Sequence, residues 1–585
     1  MAGGAVISAP PAIPAASVEV TEDMPAEMRD GTILRADVYR PRTGGPSPTL
    51  VCRTAYGKRG EAFGAGYAAT ARRLAARGYV VVVQDVRGRY ASDGPYTWLY
   101  RPESGAIHAA DGYDTTEWAA RLDGSDGRVG TFGNSYDGFT AMCTAGAAPA
   151  SLAAALASGI AARMQDESRG IFEPIYLDWT NGMAPDIRAR ASDTTGPVTR
   201  AAAEREWAAA RQKWLWALPY DALPPELFGA ATGWLKEFLR DQESDPWALP
   251  DTHPQVSVPV CHVTGWWDFV IRGGIANFTS LRAHGDPLLR DRHRLVIGPW
   301  SHEPGAIATG TGAVSYGRTE RLEYHDLIAD WYDFALKGDD GAGLGESPVS
   351  AFVLNENRWR RFCDWPPPEG RHLELFLDSA GVANGVHGDG RLTVVEPASA
   401  VPSGFRYDPR DPVMSISDWS TRALDQSVFD HRRDVLVYLS EPLEHDLLLV
   451  GDVKCVLWAA SDAVETDFTA KLVEVRPDGL AIALSAGILR TRFLEGYDTV
   501  VRLDPGVPYE LTIEMSPVGV RLRAGSRIRL DVSSSDFPNF DRNHNTGRDY
   551  WSDDELRPAQ QTIFNDADHP SRLVLSALPL EEENT

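Results

Sequence analysis

Cysteine is scarce: Cys52, Cys143, Cys261, Cys363 and Cys455 are the only five in 585 residues, and no two form a C-x-x-C pair. A set this sparse and odd excludes a disulfide framework and reads as reduced, buried thiols. Basic residues are also short, with 57 Lys+Arg against 82 Asp+Glu and a formal net charge of −25. Binding a phosphate backbone or an anionic lipid surface draws on excess Lys and Arg, so nucleic acid and membrane are excluded as partners. No apolar run approaches the ~20 residues of a membrane span. Residues 1–20 carry no Lys or Arg, and Pro10, Pro11 and Pro14 break the apolar stretch that a secretory leader needs. The expectation is a soluble cytoplasmic protein. No His/Cys cluster has metal-ligand spacing, and His302-Glu303-Pro304 lacks the second histidine of H-E-x-x-H. Gly310-Thr311-Gly312 is an incomplete G-x-G-x-x-G, so neither metal nor cofactor is expected.

What is present is an ordinary globular composition, 43% hydrophobic, with 53 Gly and 40 Pro that rule out an all-helical bundle. Tyr79-Val80-Val81-Val82-Val83 reads as a strand buried on both faces, the habit of a parallel sheet. Helical patterns at 68–77 and 114–122 alternate with it and with a strand at 127–133, which predicts an α/β sheet. From about 160 to 249 the chain turns rich in Ala, Arg, Glu and Trp, without β-branched runs. That stretch predicts helices, interrupted at Pro185 and at Pro219 to Pro225. Strand patterns return at 258–263 and 294–297, so the helical stretch is an insertion, or cap. After a glycine-rich linker at 338–345, short alternating segments predict an all-β jelly roll. The predicted division is 18–145 and 251–345 for the α/β domain, 146–250 for the cap and 346–580 for the β domain.

Chemistry concentrates in three loops. Gly133-Asn134-Ser135-Tyr136-Asp137-Gly138 lies between a predicted strand and helix, where a nucleophile elbow exposes a serine. Its spacing is G-x-S-x-x-G rather than G-x-S-x-G, and a glycine-rich turn with a capping serine is the plainer reading of the hexapeptide alone. A serine nucleophile needs a histidine base, and the histidine a carboxylate to fix its tautomer. Asp268 follows one predicted strand and His302 the next, in the chain order Ser, Asp, His of α/β hydrolases. The oxyanion needs donors. The Tyr136 amide is the first; for the second, no HGGG-type loop exists, and the Tyr56 hydroxyl after an early strand is the candidate, with a packing role equally open on spacing alone.

Taken together, Arg53-Thr54-Ala55-Tyr56-Gly57-Lys58, the Ser135 hexapeptide, Gly265-Trp266-Trp267-Asp268 and Ile297-Gly298-Pro299-Trp300-Ser301-His302 resemble the cocaine esterase-like (CocE/NonD) hydrolases, relatives of X-Pro dipeptidyl peptidases. Asp85 to Arg89 with Ser92-Asp93-Gly94, Trp331 to Gly338, Leu424-Asp425-Gln426 and 533–547 add to the likeness, which spans about 18 to 578. It implies an α/β-hydrolase domain, a helical cap and a jelly roll. It also implies a triad of Ser135, Asp268 and His302 with Tyr56 and Tyr136 as the oxyanion hole. Family members often dimerise, so a homodimer is open. The α-amino acid ester hydrolases of the superfamily carry acidic residues shortly after the triad aspartate; Phe269-Val270-Ile271 stand here instead. An α-amino acyl donor is thereby disfavoured, unless Asp166, Glu167 or Glu173 of the cap substitutes. The expected acyl pocket is aromatic, from Trp266, Trp267 and Phe269 with Phe172, Tyr176 and Trp179 of the cap, although helix packing is the plainer role for each cap aromatic. Asp85, Arg87 and Asp93 read as buried ion pairing, and Asp425 and Asn543 as closing the cleft or satisfying turns. The expected activity is hydrolysis of a small-molecule ester or amide through an acyl-enzyme. Acyl transfer, or peptidase or β-lactam acylase activity on the same residues, and a non-catalytic binding protein are the alternatives.

Overall fold

The computed structural model describes residues 17–60, 66–241, 245, 247–302, 324–339, 344–398, 401–415 and 425–580. The valine run forms a strand with every residue buried, as its lack of a polar face requires. It belongs to a sheet whose strands, in chain order, are β1 (Val18–Glu27), β2 (Ile33–Pro41), β3 (Ser47–Thr54), β4 (Val80–Asp85) and β5 (Ser125–Asn134). There follow β6 (Leu152–Ser158), β7 (Val260–Gly265), β8 (Arg294–Gly298), β9 (Val349–Val353) and β10 (Arg358–Phe362). Their spatial order is β1-β2-β4-β3-β5-β6-β7-β8-β9-β10. The strands from β4 to β9 run parallel, and antiparallel pairs close the two ends. Helices α1 (Tyr67–Ala76), α2 (Ser104–Ala119) and α3 (Tyr136–Gly146) connect the first half. Helices α4 (Met164–Ser168), α5 (Ile175–Ala191), α6 (Arg200–Leu215) and α7 (Ala230–Arg240) form the cap between β6 and β7. Finally, α8 (Ile271–His284) follows β7, and α9 (Tyr324–Tyr332) precedes β9.

Three expectations are corrected. The helical insertion does not start at 146, because β6 pairs in parallel with both β5 and β7; its sequence, Leu-Ala-Ala-Ala-Leu-Ala-Ser, has no β-branched residue to announce a strand. Pro185 does not interrupt the cap, since α5 runs through it; a proline removes one backbone N–H, and tertiary packing on both sides keeps the helix going. The β domain does not begin at 346, because β9 and β10 complete the first sheet. The strand that follows the glycine-rich linker returns to the first sheet, so the linker does not mark the domain boundary; its residues 340–343 lie outside the described ones, as do Leu424, Glu303-Pro304 and Gly310 to Gly312.

The second sheet contains β11 (Arg371–Asp378), β12 (Arg391–Thr393), β13 (Ser403–Tyr407), β14 (Leu436–Leu439), β15 (Leu447–Ser461) and β16 (Asp467–Val475). It continues with β17 (Ala481–Arg490), β18 (Tyr509–Leu522), β19 (Arg527–Ser533), β20 (Ala559–Phe564) and β21 (Arg572–Leu578), in the jelly-roll domain. Its core is continuous with the α/β domain: Trp266, Ile275, Phe278 and Leu295 share one buried cluster with Leu448, Leu457, Val520 and Leu575. The loop after β19 also grips the cap. The Tyr220 hydroxyl donates to Asp541 at 3.0 Å, and the Asp541 amide donates to the Phe172 carbonyl at 2.7 Å. Sheet, cap and jelly roll therefore meet at one edge, the carboxyl ends of the parallel strands.

Candidate active site

The register of the parallel strands brings the three loops together. Asn134 pairs with Ser158, Ser158 with Val263, and Gly265 with Gly298. Each candidate residue follows the end of its own strand, where open α/β sheets gather their sites. Ser135 sits between β5 and α3 with φ 58° and ψ −124°, a conformation L-residues adopt only when their surroundings enforce it. The flanking glycines do so. A Cβ on Gly133 would lie 2.2 Å from the Asp137 carbonyl carbon, and one on Gly138 would lie 2.7 Å from the Ile160 side chain. The second glycine is thus displaced to Ser+3, and Asp137 occupies the position where the standard elbow has glycine.

Asp268 and His302 are both buried, and His302 Nδ1 lies 2.9 Å from Asp268 Oδ1. The same carboxylate accepts the Thr264 hydroxyl at 3.2 Å and the Val270 amide at 3.2 Å. A carboxylate held this way accepts Nδ1–H and leaves Nε2 as the basic nitrogen. The imidazole packs against Phe269 at a tilt of 39°, centroid to centroid 4.5 Å. Asn134, beside the serine, donates its amide to the His302 carbonyl at 3.2 Å, and Gly159 leaves room for both, because a Cβ there would lie 2.7 Å from Asn134 Oδ1 and 3.1 Å from the His302 ring. Asn134 is a residue that spacing alone did not single out.

The half-buried Tyr56 hydroxyl accepts the Trp179 indole N–H at 3.1 Å and lies near enough to the Ser135 side chain to feel it electrostatically. Burial, reinforced by the Asp137 charge, holds this phenol well above its ordinary range, so it remains an O–H donor. Tyr136 heads α3, whose first amides have no partner within the helix. Its ring is fully buried, with the hydroxyl 2.9 Å from His108 Nε2.

A cavity of about 190 Å³ opens beside Asp268 between cap and jelly roll, lined by Trp266, Trp267, Phe269, Glu167, Glu173 and Arg272 among others. Trp266 is largely buried, with its indole N–H donated to the Phe352 carbonyl at 2.6 Å. Phe172 and Tyr176 pack in the cap core, 2% and 5% exposed, with Phe172 stacked on Tyr176 and edge-on to Tyr220. Trp179 serves the Tyr56 hydroxyl. Of the three cap acids, Asp166 is exposed, whereas Glu167 and Glu173 are buried. Burial, helped for Glu173 by the proximity of Glu167, pushes each up to about 8.

The remaining polar candidates are structural. Lys58 pairs with Asp85 at 2.8 Å, and Arg87 with Asp111 at 2.6 Å. Asp93 is exposed. Asp425 accepts the Ser427 amide at 3.0 Å, and Asn543 donates to Asp467 at 2.7 Å, which satisfies turns in the jelly roll. No group of His, Cys, Asp and Glu among the described residues is arranged to hold a metal ion, and no described helix is long and apolar enough to cross a membrane.

Residues 30–304 match the family model of X-Pro dipeptidyl-peptidases (S15 family), and residues 342–574 match their C-terminal non-catalytic domain. A cocaine esterase from Rhodococcus sp. (strain MB1 Bresler) is 31% identical over 586 residues, covering 95% of this chain and 98% of that one. The chain belongs to the CocE/NonD family of serine hydrolases. Two solved structures share the whole CocE/NonD-like fold. An aminopeptidase from a Thaumarchaeota archaeon has a TM-score of 0.76 at 24% identity, covering 98% of this chain and 99% of that one. An α-amino acid ester hydrolase has a TM-score of 0.75 at 22% identity, covering 97% and 98%. As a CocE/NonD member the chain is a serine hydrolase, acting on an ester or amide bond through an acyl-enzyme.

Proposed function

We propose that Ser135, His302 and Asp268 form the catalytic triad, with the Tyr56 hydroxyl and Tyr136 amide as the oxyanion hole, and that the substrate is a small-molecule ester. His302 Nε2 takes the hydroxyl proton as Ser135 Oγ attacks the carbonyl carbon. The oxyanion is then stabilised by the phenol and the amide. The tetrahedral intermediate collapses with the His302 proton passing to the departing alcohol, and water, activated by the same imidazole, cleaves the acyl-enzyme. The 2.9 Å contact of His302 Nδ1 with Asp268, in the loop next to a serine held at φ 58°, carries this reading. The kinship with a cocaine esterase supports an ester before an amide. Five free cysteines, four of them buried, support a reducing, cytoplasmic setting.

Glu167 and Glu173 favour a second reading of the substrate. They bring to the cavity the carboxyls that 269–271 lack, and a buried carboxyl is stabilised in its ionised form by a partner cation. An acyl group bearing an amine is then the second substrate class. A panel of p-nitrophenyl esters, with matched acyl groups carrying and lacking an α-amine, tests both readings with Ser135→Ala as control. Hydrolysis of the plain esters that Ser135→Ala abolishes is expected. Preference for the amine-bearing members supports the second class, and turnover by Ser135→Ala refutes the triad.

A further inference from the structure

Asp137 lies two residues after Ser135 and does not enter the chemistry above. Its carboxylate is buried under the elbow and ends an ordered chain of donors. The Tyr67 hydroxyl, at the start of α1, donates to Asp137 Oδ2 at 2.6 Å. The Thr54 hydroxyl, at the end of β3, donates to Tyr67 at 2.7 Å. The Tyr56 amide donates to Thr54 Oγ1 at 3.0 Å. Every link runs the same way, so the proton positions are mutually consistent and the carboxylate is the terminal acceptor; such chains polarise one another and fix orientation. Alternation along β3 puts Cys52 and Thr54 on one face, and the Cys52 thiol also reaches Asp137 at 3.9 Å. A second tie runs alongside, because Thr140 of α3 donates to the Arg53 carbonyl at 3.0 Å. The chain through Tyr67 and Thr54 links Asp137, in the first turn of the nucleophile's helix, to the backbone amide of Tyr56, the proposed oxyanion donor. Asp137, Tyr67 and Thr54 are all buried, and none of the three side chains contacts the cavity beside Asp268.

We propose that Asp137, Tyr67 and Thr54 form a positioning relay that sets the Tyr56 phenol against Ser135, so that the oxyanion donor and the nucleophile are placed by one element. This inference rests on the assignment of Tyr56 as an oxyanion donor. The relay makes no bond to substrate, and its effect therefore falls on transition-state stabilisation and not on substrate affinity.

The test is a double-mutant cycle of Tyr67→Phe and Tyr56→Phe in the full-length enzyme, with a p-nitrophenyl ester as substrate. Tyr67→Phe keeps the ring and removes one link. It is expected to lower kcat about tenfold, the scale of a hydrogen bond, with KM within about twofold. In the Tyr56→Phe background there is no phenol to position, and Tyr67→Phe is expected to change kcat by less than about twofold, a coupling that only interacting residues display. Thr54→Ser, which retains the hydroxyl, keeps activity, and Thr54→Val, which is isosteric without it, reproduces the loss. This pair keeps the relay testable if Asp137→Asn does not fold. An equal loss from Tyr67→Phe in both backgrounds overturns the relay while leaving Tyr56 in its role, as does a parent-like Tyr67→Phe. A Tyr56→Phe enzyme as active as the parent overturns the oxyanion assignment, and the relay with it.

Discussion

Replacing Tyr56 by phenylalanine removes a single oxygen and leaves the ring's packing. That oxygen accepts the Trp179 indole N–H at 3.1 Å and neighbours the Ser135 side chain. Losing one oxyanion donor costs about 10²–10³ in kcat, or ~2.7–4 kcal/mol of transition-state stabilisation. The indole N–H left behind loses its acceptor, which costs ~1–3 kcal/mol of stability if water does not replace it. The two effects separate cleanly, because the first appears in kcat at saturating ester and the second in the denaturation midpoint. Trp179→Phe removes the donor and keeps the phenol, so it forfeits only one neutral hydrogen bond, ~0.5–1.5 kcal/mol, equivalent to about 2- to 13-fold in kcat. The predicted order of kcat is therefore parent, then Trp179→Phe, then Tyr56→Phe well below both. Steady-state hydrolysis of a p-nitrophenyl ester, with urea unfolding in parallel, measures the series. A Tyr56→Phe enzyme within threefold of the parent kcat refutes the assignment of the phenol, as does a Trp179→Phe enzyme more damaged than Tyr56→Phe.

Other expectations follow from the same geometry. Asp268→Asn cannot accept Nδ1–H as a carboxylate does, and kcat should fall by about 10⁴ while circular dichroism is unchanged; a tenfold effect would contradict the tautomer argument. Gly133→Ala should fail to accumulate as folded protein, since its methyl would lie 2.2 Å from backbone in a region without room to yield; a soluble, active variant would refute that packing. His253 and His293 are buried and neutral, burial lowering each to about 4. A depressed folded pKa gives stability that is complete above the ordinary value of about 6.5 and lost as pH falls towards 4, on the order of 3 kcal/mol for each, and His293→Gln should blunt this acid loss in urea titrations between pH 7 and 4. Glu173 has the opposite sign. Its pKa is raised to about 8, so the fold loses stability as pH climbs from about 4.5 through 8, and Glu173→Gln should flatten the fall between pH 6 and 9.

Much of this architecture could be read from residues because they leave few choices. Four valines in a row have nowhere to go but the centre of a parallel sheet, and Ser135, Asp268 and His302 each follow a strand end in the order that hydrolase sheets require. The misreadings have equally local causes. Alanine carries no preference for strand, so β6 was hidden in a stretch that looked helical, and a glycine-rich linker resembles a domain boundary whether or not the next strand returns to the same sheet. Contacts between distant segments were illegible for a different reason. Nothing in the spacing says that Trp179 of the cap donates to Tyr56, 123 residues earlier, or that Glu173 rather than Asp166 is turned to the cavity. Such pairings depend on how the cap settles over the strand ends, a property of tertiary packing and not of local pattern.

The central claim is that Ser135 is the nucleophile activated by His302 and Asp268. Its most direct test is exposure of the full-length protein to a fluorophosphonate probe, followed by intact mass and peptide mapping. The account predicts one adduct per chain, located on Ser135, absent from Ser135→Ala and formed far more slowly by His302→Ala. Labelling at another serine, or parent-like labelling of the Ser135→Ala protein, would contradict it.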